Sequence, residues 1–465
     1  MTLLYGVDPR TGERLEPGVP ETSPETVAEL GAAAAKAARP LAELPLADRA
    51  ALLEAVADAL EAAAGELVPL ADAETALGTT RLSGEVERTT GQLRLLAGEA
   101  RGEGFQRDTA EPGFVRGLLP IGPVAVYAAS NFPFAFSVAG GDTASAWAAG
   151  CPVIVKAHPG HPRTSARTAE IITEALAKAG APEGMFALVH GFEAGMALIN
   201  DPNVKAAGFT GSVRGGRALF DAAASRPDPI PFYGELGSIN PVFVTEAAVA
   251  ARGEEIARGY VGSFTLGSGQ FCTKPGLLFL PAGHGLEPVL SEAVAAVAAP
   301  SLLTPQITDG FRAGVERIAG ETRTVAESAG ARLFAVTAEE FAARPELTEE
   351  CFGPTSIIIE YSSEEELRAA AAAVPGSLTA SLHAEPSDAD LARGLVAELA
   401  RHVGRIVYNG WPTGVAVNHA MHHGGPWPAT TSPLHTSVGT AAIRRFQVPV
   451  CFQGLPDELL PPTVR

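Results

Sequence analysis

Cysteine is scarce and scattered in this chain: Cys151, Cys272, Cys351 and Cys451 are the only four among 465 residues. No two form a C-x-x-C pair, which excludes a zinc-ribbon or disulfide framework and points to reduced thiols. The default role of each is a small buried hydrophobe. Long apolar runs are missing too; none approaches the roughly 18 to 20 residues needed to cross a bilayer. The opening MTLLYGVDPRTGERLEPG has no basic stretch followed by an apolar one, so no secretory leader is expected, and a cytoplasmic location is. Positive charge is in deficit: 34 Lys and Arg stand against 53 Asp and Glu, a net charge of -19. That balance argues against nucleic-acid and anionic-membrane partners. An anionic substrate would need a locally basic pocket. The G-x-G-x-x-G dinucleotide fingerprint is absent as well.

What is present is a long chain with 46% hydrophobic residues, enough for two or more cores. Residues 24 to 105 are rich in Ala, Leu and Glu, with apolar residues such as Leu46, Ala50, Leu53, Val56 and Leu60 at helical spacing. Residues 106 to 119 are punctuated by Gly and Pro and read as a hairpin or arm. From residue 123 short apolar runs alternate with helical stretches: PVAVYA, CPVIVKA, FALVH and KAAGFT, then NPVFV, GLLFL, SIIIEY, SLTASLHA and GRIVYN. This alternation predicts two doubly wound α/β domains dividing near Gly234. The tail after residue 443 has strand character.

Four segments carry chemical promise. In ASNFPFAF, Asn131 follows a buried strand, where open α/β sheets bind ligands, and its amide can donate to an oxyanion; a turn or helix cap is the plainer role. In FTGSVRGG, Gly211 and Ser212 open a helix whose free N–H groups attract phosphate; an ordinary capped helix explains them equally well. In YGELGSINP, Glu235 lies between glycines in a largely uncharged run. A carboxylate buried there is costly unless paired or functional, and burial tunes it toward a general base; a solvated loop carboxylate is the plainer reading. In GSGQFCTKPG, Cys272 sits in a glycine-rich loop ahead of a strand, where a thiol of lowered pKa is a strong nucleophile.

Taken together and in order, these stretches resemble the aldehyde dehydrogenase superfamily. The matching motifs are Asn131-Phe132-Pro133, Lys156 to Pro159, Phe209 to Ser212, Glu235-Leu236-Gly237, Gly269 to Cys272 and Glu350 to Pro354. The resemblance implies a cofactor-binding domain (1–105 and 120–234), a catalytic domain (235–442) and an oligomerisation arm (106–119 and 443–465) of a homodimer or homotetramer. It implies that Cys272 attacks the aldehyde to form a thiohemiacetal and then a thioester. Asn131 would hold the oxyanion, and Glu235 would activate the hydrolytic water. For the cofactor it implies that Lys156 meets the adenosine ribose, Gly211 and Ser212 the pyrophosphate, and Glu350 the nicotinamide ribose with Phe352 packed nearby.

Within the family the chain is similar to the α-ketoglutaric semialdehyde dehydrogenase branch, and also to bacterial NADP-dependent fatty-aldehyde dehydrogenases. The segments that carry this are ASNFPFAFSVAGGDTASAWAAGCPVIVKAHPGHPRTS and YNGWPTGVAVNHAMHHGGPWPATTSPLHTSVGTAAIRRF. Ser130 stands where the family usually has Trp. Pro159 stands where NAD-preferring members often carry an acid, which removes repulsion against a 2′-phosphate; Arg163 or Arg214 would supply the positive partner. NADP is therefore expected to serve at least as well as NAD. Phe132, Phe136, Trp411, His422 and His423 are the expected substrate-funnel residues. The run from His419 to His423 contains no carboxylate, and the family implies no catalytic metal, so none is expected. The rivals are an acyl-enzyme reductase, which intact Glu235 opposes, and a catalytically silent homologue, which intact Asn131, Glu235, Cys272 and Glu350 oppose.

Overall fold

In the computed structural model, which describes residues 2–102, 105–299 and 301–465, the chain divides into two units. The first comprises Met1–Glu235, Val417–Met421 and His435–Arg465; the second comprises Leu236–Ala416 and His422–Leu434. The N-terminal and arm segments read from the sequence lie within the described residues except for positions 1, 103 and 104.

The first unit opens with a hairpin that the sequence reading did not anticipate, β1 (Leu3–Val7) with β2 (Arg14–Pro20). Its residues are polar and turn-rich and lack a clean alternation. Four helices follow, α1 (Pro24–Glu43), α2 (Leu46–Ala62), α3 (Ala64–Thr75) and α4 (Thr79–Ala100), as the Ala/Leu spacing predicts. A second hairpin, β3 (Arg107–Glu111) with β4 (Phe114–Pro120), forms where the arm is expected. The α/β core then runs β5 (Val124–Tyr127), α5 (Gly141–Ala149), β6 (Val153–Lys156), α6 (Pro162–Lys178), β7 (Phe186–Val189), α7 (Phe192–Asn200), β8 (Ala206–Thr210), α8 (Val213–Ala224) and β9 (Phe232–Glu235). Its strands are parallel in the order β7-β6-β5-β8-β9. Val124, Val126, Val153 and Val155 pack into one core while Ala125, Tyr127 and Ile154 pack into another. A sheet covered on both faces is why these strands read as unbroken apolar runs.

The second unit repeats the scheme with β10 (Pro241–Val244), α9 (Glu246–Thr265), β11 (Leu277–Pro281), α10 (Glu287–Ala295), α11 (Pro305–Glu321), β12 (Arg323–Glu327), β13 (Arg332–Thr337), α12 (Ala338–Ala342), β14 (Thr355–Tyr361), α13 (Glu364–Ala373), β15 (Ser377–His383), α14 (Ala389–Leu399) and β16 (Val403–Tyr408). The order is β12-β13-β14-β11-β10-β15-β16, parallel throughout except for edge strand β12. Phe243, Leu277 and Phe279 face one core; Val242, Val244, Leu278 and Leu280 face the other. The sequence reading assigned no strand at β12 or at the buried β13; the residues of β12, RTVAE, are few, polar and mostly exposed, as suits an edge.

The tail returns to the first unit as β17 (Gln447–Gln453), which pairs antiparallel with β4 to give the three-stranded sheet β17-β4-β3. Both segments of the expected oligomerisation arm meet here.

Candidate active site

In the first unit the motif residues gather at the carboxyl edge of the sheet. Lys156 ends β6 and pairs in register with Tyr127, which pairs with Phe209; Thr210 pairs with Glu235. Chain order reverses around β5, so its end and that of β8 flank a crevice of the kind that holds dinucleotides. The Gly211 N–H donates to the Glu235 carbonyl at 3.0 Å, tying the phosphate-loop candidate to the carboxylate strand. Ser212 caps α8, its hydroxyl accepting from the Gly215 N–H at 3.2 Å. Arg214 lies exposed in the first turn of that helix. The Lys156 ammonium is pushed down to about 8 by burial and makes no hydrogen bond or ion pair among the described residues. Pro159 is exposed in the turn that follows. The N-terminus of α6 is already served by the buried Glu74 carboxylate, which accepts from the N–H groups of Arg163 and Thr164.

Asn131 is buried, and its carbonyl accepts from Arg81 Nη2 at 2.6 Å. The loop around it is fixed from two sides. His161 meets the Ala129 carbonyl through Nε2 at 2.9 Å, so that nitrogen carries the proton. Glu85 of α4 accepts from the N–H groups of Phe134 and Ala135 at 2.8 and 3.0 Å. Phe132 and Phe136 are half-buried, with ring centroids 5.1 Å apart. Glu235 is buried and accepts from the Ser437 hydroxyl at 2.7 Å. The sequence reading gave no role to Ser437, which lies 202 residues away along the chain, although it falls within the second segment that carries the resemblance.

In the second unit the chemistry gathers at the opposite kind of edge, ahead of the strands. Cys272 precedes β11, Glu350 and Phe352 precede β14, and Asn240 precedes β10. Asn240 is the organiser. Its Nδ2 donates to the Cys272 carbonyl at 2.8 Å and the Lys274 carbonyl at 3.0 Å, while its Oδ1 accepts from Ser238 Oγ and from the N–H and hydroxyl of Thr379. It adopts a left-handed φ of 52°, a region Asn tolerates better than most residues. Asn240 was within the YGELGSINP run but had no assigned role. Lys274, fully buried, donates to the carbonyls of Cys351 at 2.7 Å and Thr355 at 3.0 Å; burial pushes its ammonium down. At Gly269, with φ of 66°, a Cβ would fall 2.2 Å from the Gly353 carbonyl carbon. The glycines of the cysteine loop and of the Glu350–Pro354 motif are therefore there for a close backbone crossing.

The four cysteines separate by environment. Burial pushes Cys151 up to about 11 and raises Cys351 too; both are buried, while Cys451 is exposed on β17. Cys272 is half-buried, and its Sγ lies 3.5 Å from His423 Nε2. Of the expected funnel residues, His423 is thus against the thiol itself, and His422 beside it lies near β16, where a Cβ on Gly404 would meet its ring at 3.1 Å. The Trp411 ring packs on His383, at the carboxyl end of β15, and on Tyr260 of α9, with centroids at 4.6 and 5.9 Å. Arg405 of β16 donates from its two Nη atoms to the carbonyls of Gly414 and Pro412, and the Gly414 N–H reaches Thr273 Oγ1 at 3.3 Å. Burial pushes Glu350 up to about 7, opposed by the Lys274 cation.

Comparison with known proteins agrees with this organisation. Residues 4–446 match the aldehyde dehydrogenase family model. The chain is 46% identical to α-ketoglutaric semialdehyde dehydrogenase 2 of Azospirillum brasilense, covering 98% of this chain and 92% of that protein. It is 41% identical to the α-ketoglutaric semialdehyde dehydrogenase of Acinetobacter baylyi, covering 90% and 84%. Among solved structures it resembles aldehyde dehydrogenase C of Pseudomonas syringae, solved with NAD+ and octanal, with a TM-score of 0.84 at 20% identity over 98% of this chain and 94% of that one. It also resembles a Thermus 1-pyrroline-5-carboxylate dehydrogenase with bound NAD, with a TM-score of 0.82 at 21% identity over 97% and 89%. No helix among the described residues is long and apolar enough to cross a membrane.

Proposed function

The chain belongs to the aldehyde dehydrogenase family, and on that premise we propose that it oxidises α-ketoglutaric semialdehyde to 2-oxoglutarate with NADP or NAD, NADP being used at least as well. The observation that carries the reaction class at the level of residues is the half-buried Cys272 thiol at 3.5 Å from His423 Nε2. The substrate reading rests on the two relatives named for that semialdehyde.

The residues of the first unit suit a nicotinamide dinucleotide. Lys156 offers a largely buried ammonium without a hydrogen-bond or ion-pair partner among the described residues, ready for ribose hydroxyls. The exposed start of α8, with the Ser212 hydroxyl and free N–H groups, suits a pyrophosphate. Glu350 is assigned to the nicotinamide ribose, with Phe352 packed nearby. Bound NAD(P) supplies the two-electron acceptor for the oxidation.

In this reading His423 takes the proton of Cys272 as Sγ bonds to the aldehyde carbon. Asn240 keeps the nucleophile's backbone still through its bond to the Cys272 carbonyl. Asn131 donates from its amide to the oxygen that becomes an oxyanion. Oxidation of the thiohemiacetal leaves a thioester on Cys272. Glu235, oriented by Ser437, takes a proton from the water that attacks the thioester, and the acid leaves as the thiol is restored.

The test is a panel of aldehydes run with each cofactor: α-ketoglutaric semialdehyde, succinic semialdehyde, glutaraldehyde and long-chain aldehydes. The semialdehyde is expected to give the highest kcat/KM; a long-chain preference would point to fatty aldehydes instead, and no turnover of any aldehyde to a silent homologue. A strong preference for NAD would remove the NADP reading, in which Pro159 leaves room for a 2′-phosphate and Arg163 or Arg214 meets it. The arm sheet, with Phe114 and Val448 exposed, is read as the surface of a homodimer or homotetramer, which light scattering checks.

A further inference from the structure

Burying a cation costs free energy unless a negative group offsets it. Arg405 of β16, in the second unit, is a half-buried cation. Both of its hydrogen bonds go to neutral groups, the carbonyls of Gly414 and Pro412. Its Nε is buried and makes no hydrogen bond, and no carboxylate pairs with it among the described residues. Bracing a turn does not call for a charge, since an amide or hydroxyl can donate to a carbonyl as well. The negative group within its electrostatic reach is the thiolate of Cys272: burial lowers the Arg405 guanidinium, and the Cys272 charge opposes that. The attraction is reciprocal, so the guanidinium favours the thiolate in turn.

The second unit ties β16 to the Cys272 segment in three ways. The turn that Arg405 holds reaches back from the Gly414 N–H to Thr273 Oγ1 at 3.3 Å, next to the thiol. Gly404, the neighbour of Arg405, lies so close to the segment carrying His423 that a Cβ there would fall 2.2 Å from the Gly424 carbonyl oxygen. Thr379, the register partner of Arg405 on β15, donates to Asn240 Oδ1, and Asn240 holds the Cys272 carbonyl. His423, 3.5 Å from the sulfur, takes the thiol proton in the reading above. A fixed cation favours a thiolate and disfavours an imidazolium at the same place, and so drives that proton on to solvent. Lys274, the other buried cation of this segment, donates to the Cys351 and Thr355 carbonyls, and its charge meets Glu350 instead.

We propose that Arg405 is a positioning residue for Cys272: its two Nη atoms fix the turn bonded to Thr273, and its charge holds the sulfur as thiolate. The proposal rests on the reading of Cys272 as the nucleophile.

The experiment follows alkylation of Cys272 by iodoacetamide from about pH 5 to about pH 10 in the wild type, Arg405→Gln, Arg405→Met and Arg405→Lys. The labelled peptide is identified by mass spectrometry, because Cys451 is exposed. Melting curves confirm that each protein folds, and Arg405→Met, which keeps an apolar stem, serves where Arg405→Gln does not fold. The neutral variants are expected to raise the alkylation midpoint by about 0.5 to 1 pH unit. Their kcat/KM near neutral pH should fall by about 3- to 10-fold, matching the lost thiolate, for α-ketoglutaric semialdehyde and propanal alike. Arg405→Lys keeps the charge without the planar fork: its melting temperature should fall as theirs does, while its midpoint stays near that of the wild type. Glu235 and His423 are unchanged in every protein compared, so a shift belongs to position 405. An unmoved midpoint in a folded neutral variant overturns the proposal, as does a Lys variant shifted as far as the neutral ones. So does a loss confined to the semialdehyde, which would make Arg405 a receptor for its carboxylate. If Cys272→Ala keeps wild-type turnover, the nucleophile reading itself fails, and that is seen with no change at position 405.

Discussion

The two units share a doubly wound plan and use it in opposite ways. In the first, the assigned groups lie at or just beyond the carboxyl ends of strands: Asn131 beyond β5, Lys156 at the end of β6, Ser212 beyond β8 and Glu235 at the end of β9. In the second they lie ahead of strands: Asn240 before β10, Cys272 before β11, Glu350 before β14. Groups at carboxyl ends project from loops whose backbone is secured by other residues, as Glu85 and His161 secure the Asn131 loop. The Cys272 segment is instead woven into its own sheet by Asn240, Lys274 and the Gly269–Gly353 crossing. Lesions in the first unit should therefore cost activity with little stability. Lesions in the second, the thiol itself apart, should cost both.

The largest expected effect is that of Cys272→Ala, which should lower kcat by at least about 10⁴-fold while leaving cofactor binding and the melting temperature in place. Residual steady-state turnover within tenfold of wild type would remove Cys272 from its role. Glu235→Gln comes next: a loss of about 10²- to 10⁴-fold in steady-state turnover, with an initial burst of reduced cofactor retained because acylation does not need the water. Unchanged turnover would mean that another group activates it. Asn131→Ala should cost about 10²- to 10³-fold in kcat with an unaltered melt.

Asn240→Ala is the sharpest trial of the contrast. It strips hydrogen bonds from two carbonyls and from Ser238 and Thr379, at about 1–3 kcal/mol for each buried group left unpaired. Denaturant unfolding should shift clearly to lower concentration as kcat falls. An Asn240 variant as stable as wild type would break the distinction between the units.

The smallest effect concerns pH. Glu350 is raised from its ordinary 4.5 to about 7 by burial, so the folded protein holds this proton more tightly than the unfolded chain. Its contribution to stability is present below about pH 4.5 and is lost as pH rises through 7. The ionised carboxylate is the form that accepts from ribose hydroxyls, so cofactor KM should fall a few-fold between pH 6 and 8. Glu350→Gln should flatten both dependences; curves that keep their slope would assign them to another group.

Much of this was legible in the sequence because parallel strands buried on both faces leave an unmistakable mark. VAVY, VIVK, PVFV and LLFLP announce themselves. The hairpin β1–β2 and the edge strand β12 did not, since half-exposed strands of polar residues carry no such mark; the buried strand β13 also went unassigned. Among candidate site residues, those named from the sequence lie inside contiguous motifs. Ser437, Lys274 and Arg405 were not given roles, because nothing local distinguishes a serine, lysine or arginine that acts across the fold. Cys272 was one of four equivalent thiols until its motif company separated it; the structure adds burial of Cys151 and Cys351 as a second, independent reason.

By itself, then, the sequence determined the family and the alternating α/β plan, and it named Cys272, Glu235 and Asn131 as the candidates for nucleophile, base and oxyanion donor. These depend on residue type and order along the chain. Tertiary structure alone decided that Asn240 clamps the Cys272 backbone, that His423 stands at the thiol, that Trp411 packs on α9 and that Arg405 holds the turn bonded to Thr273. Those facts depend on which strands become neighbours and on which residues of a helix turn inward, and burial of apolar surface settles both for a whole unit at once.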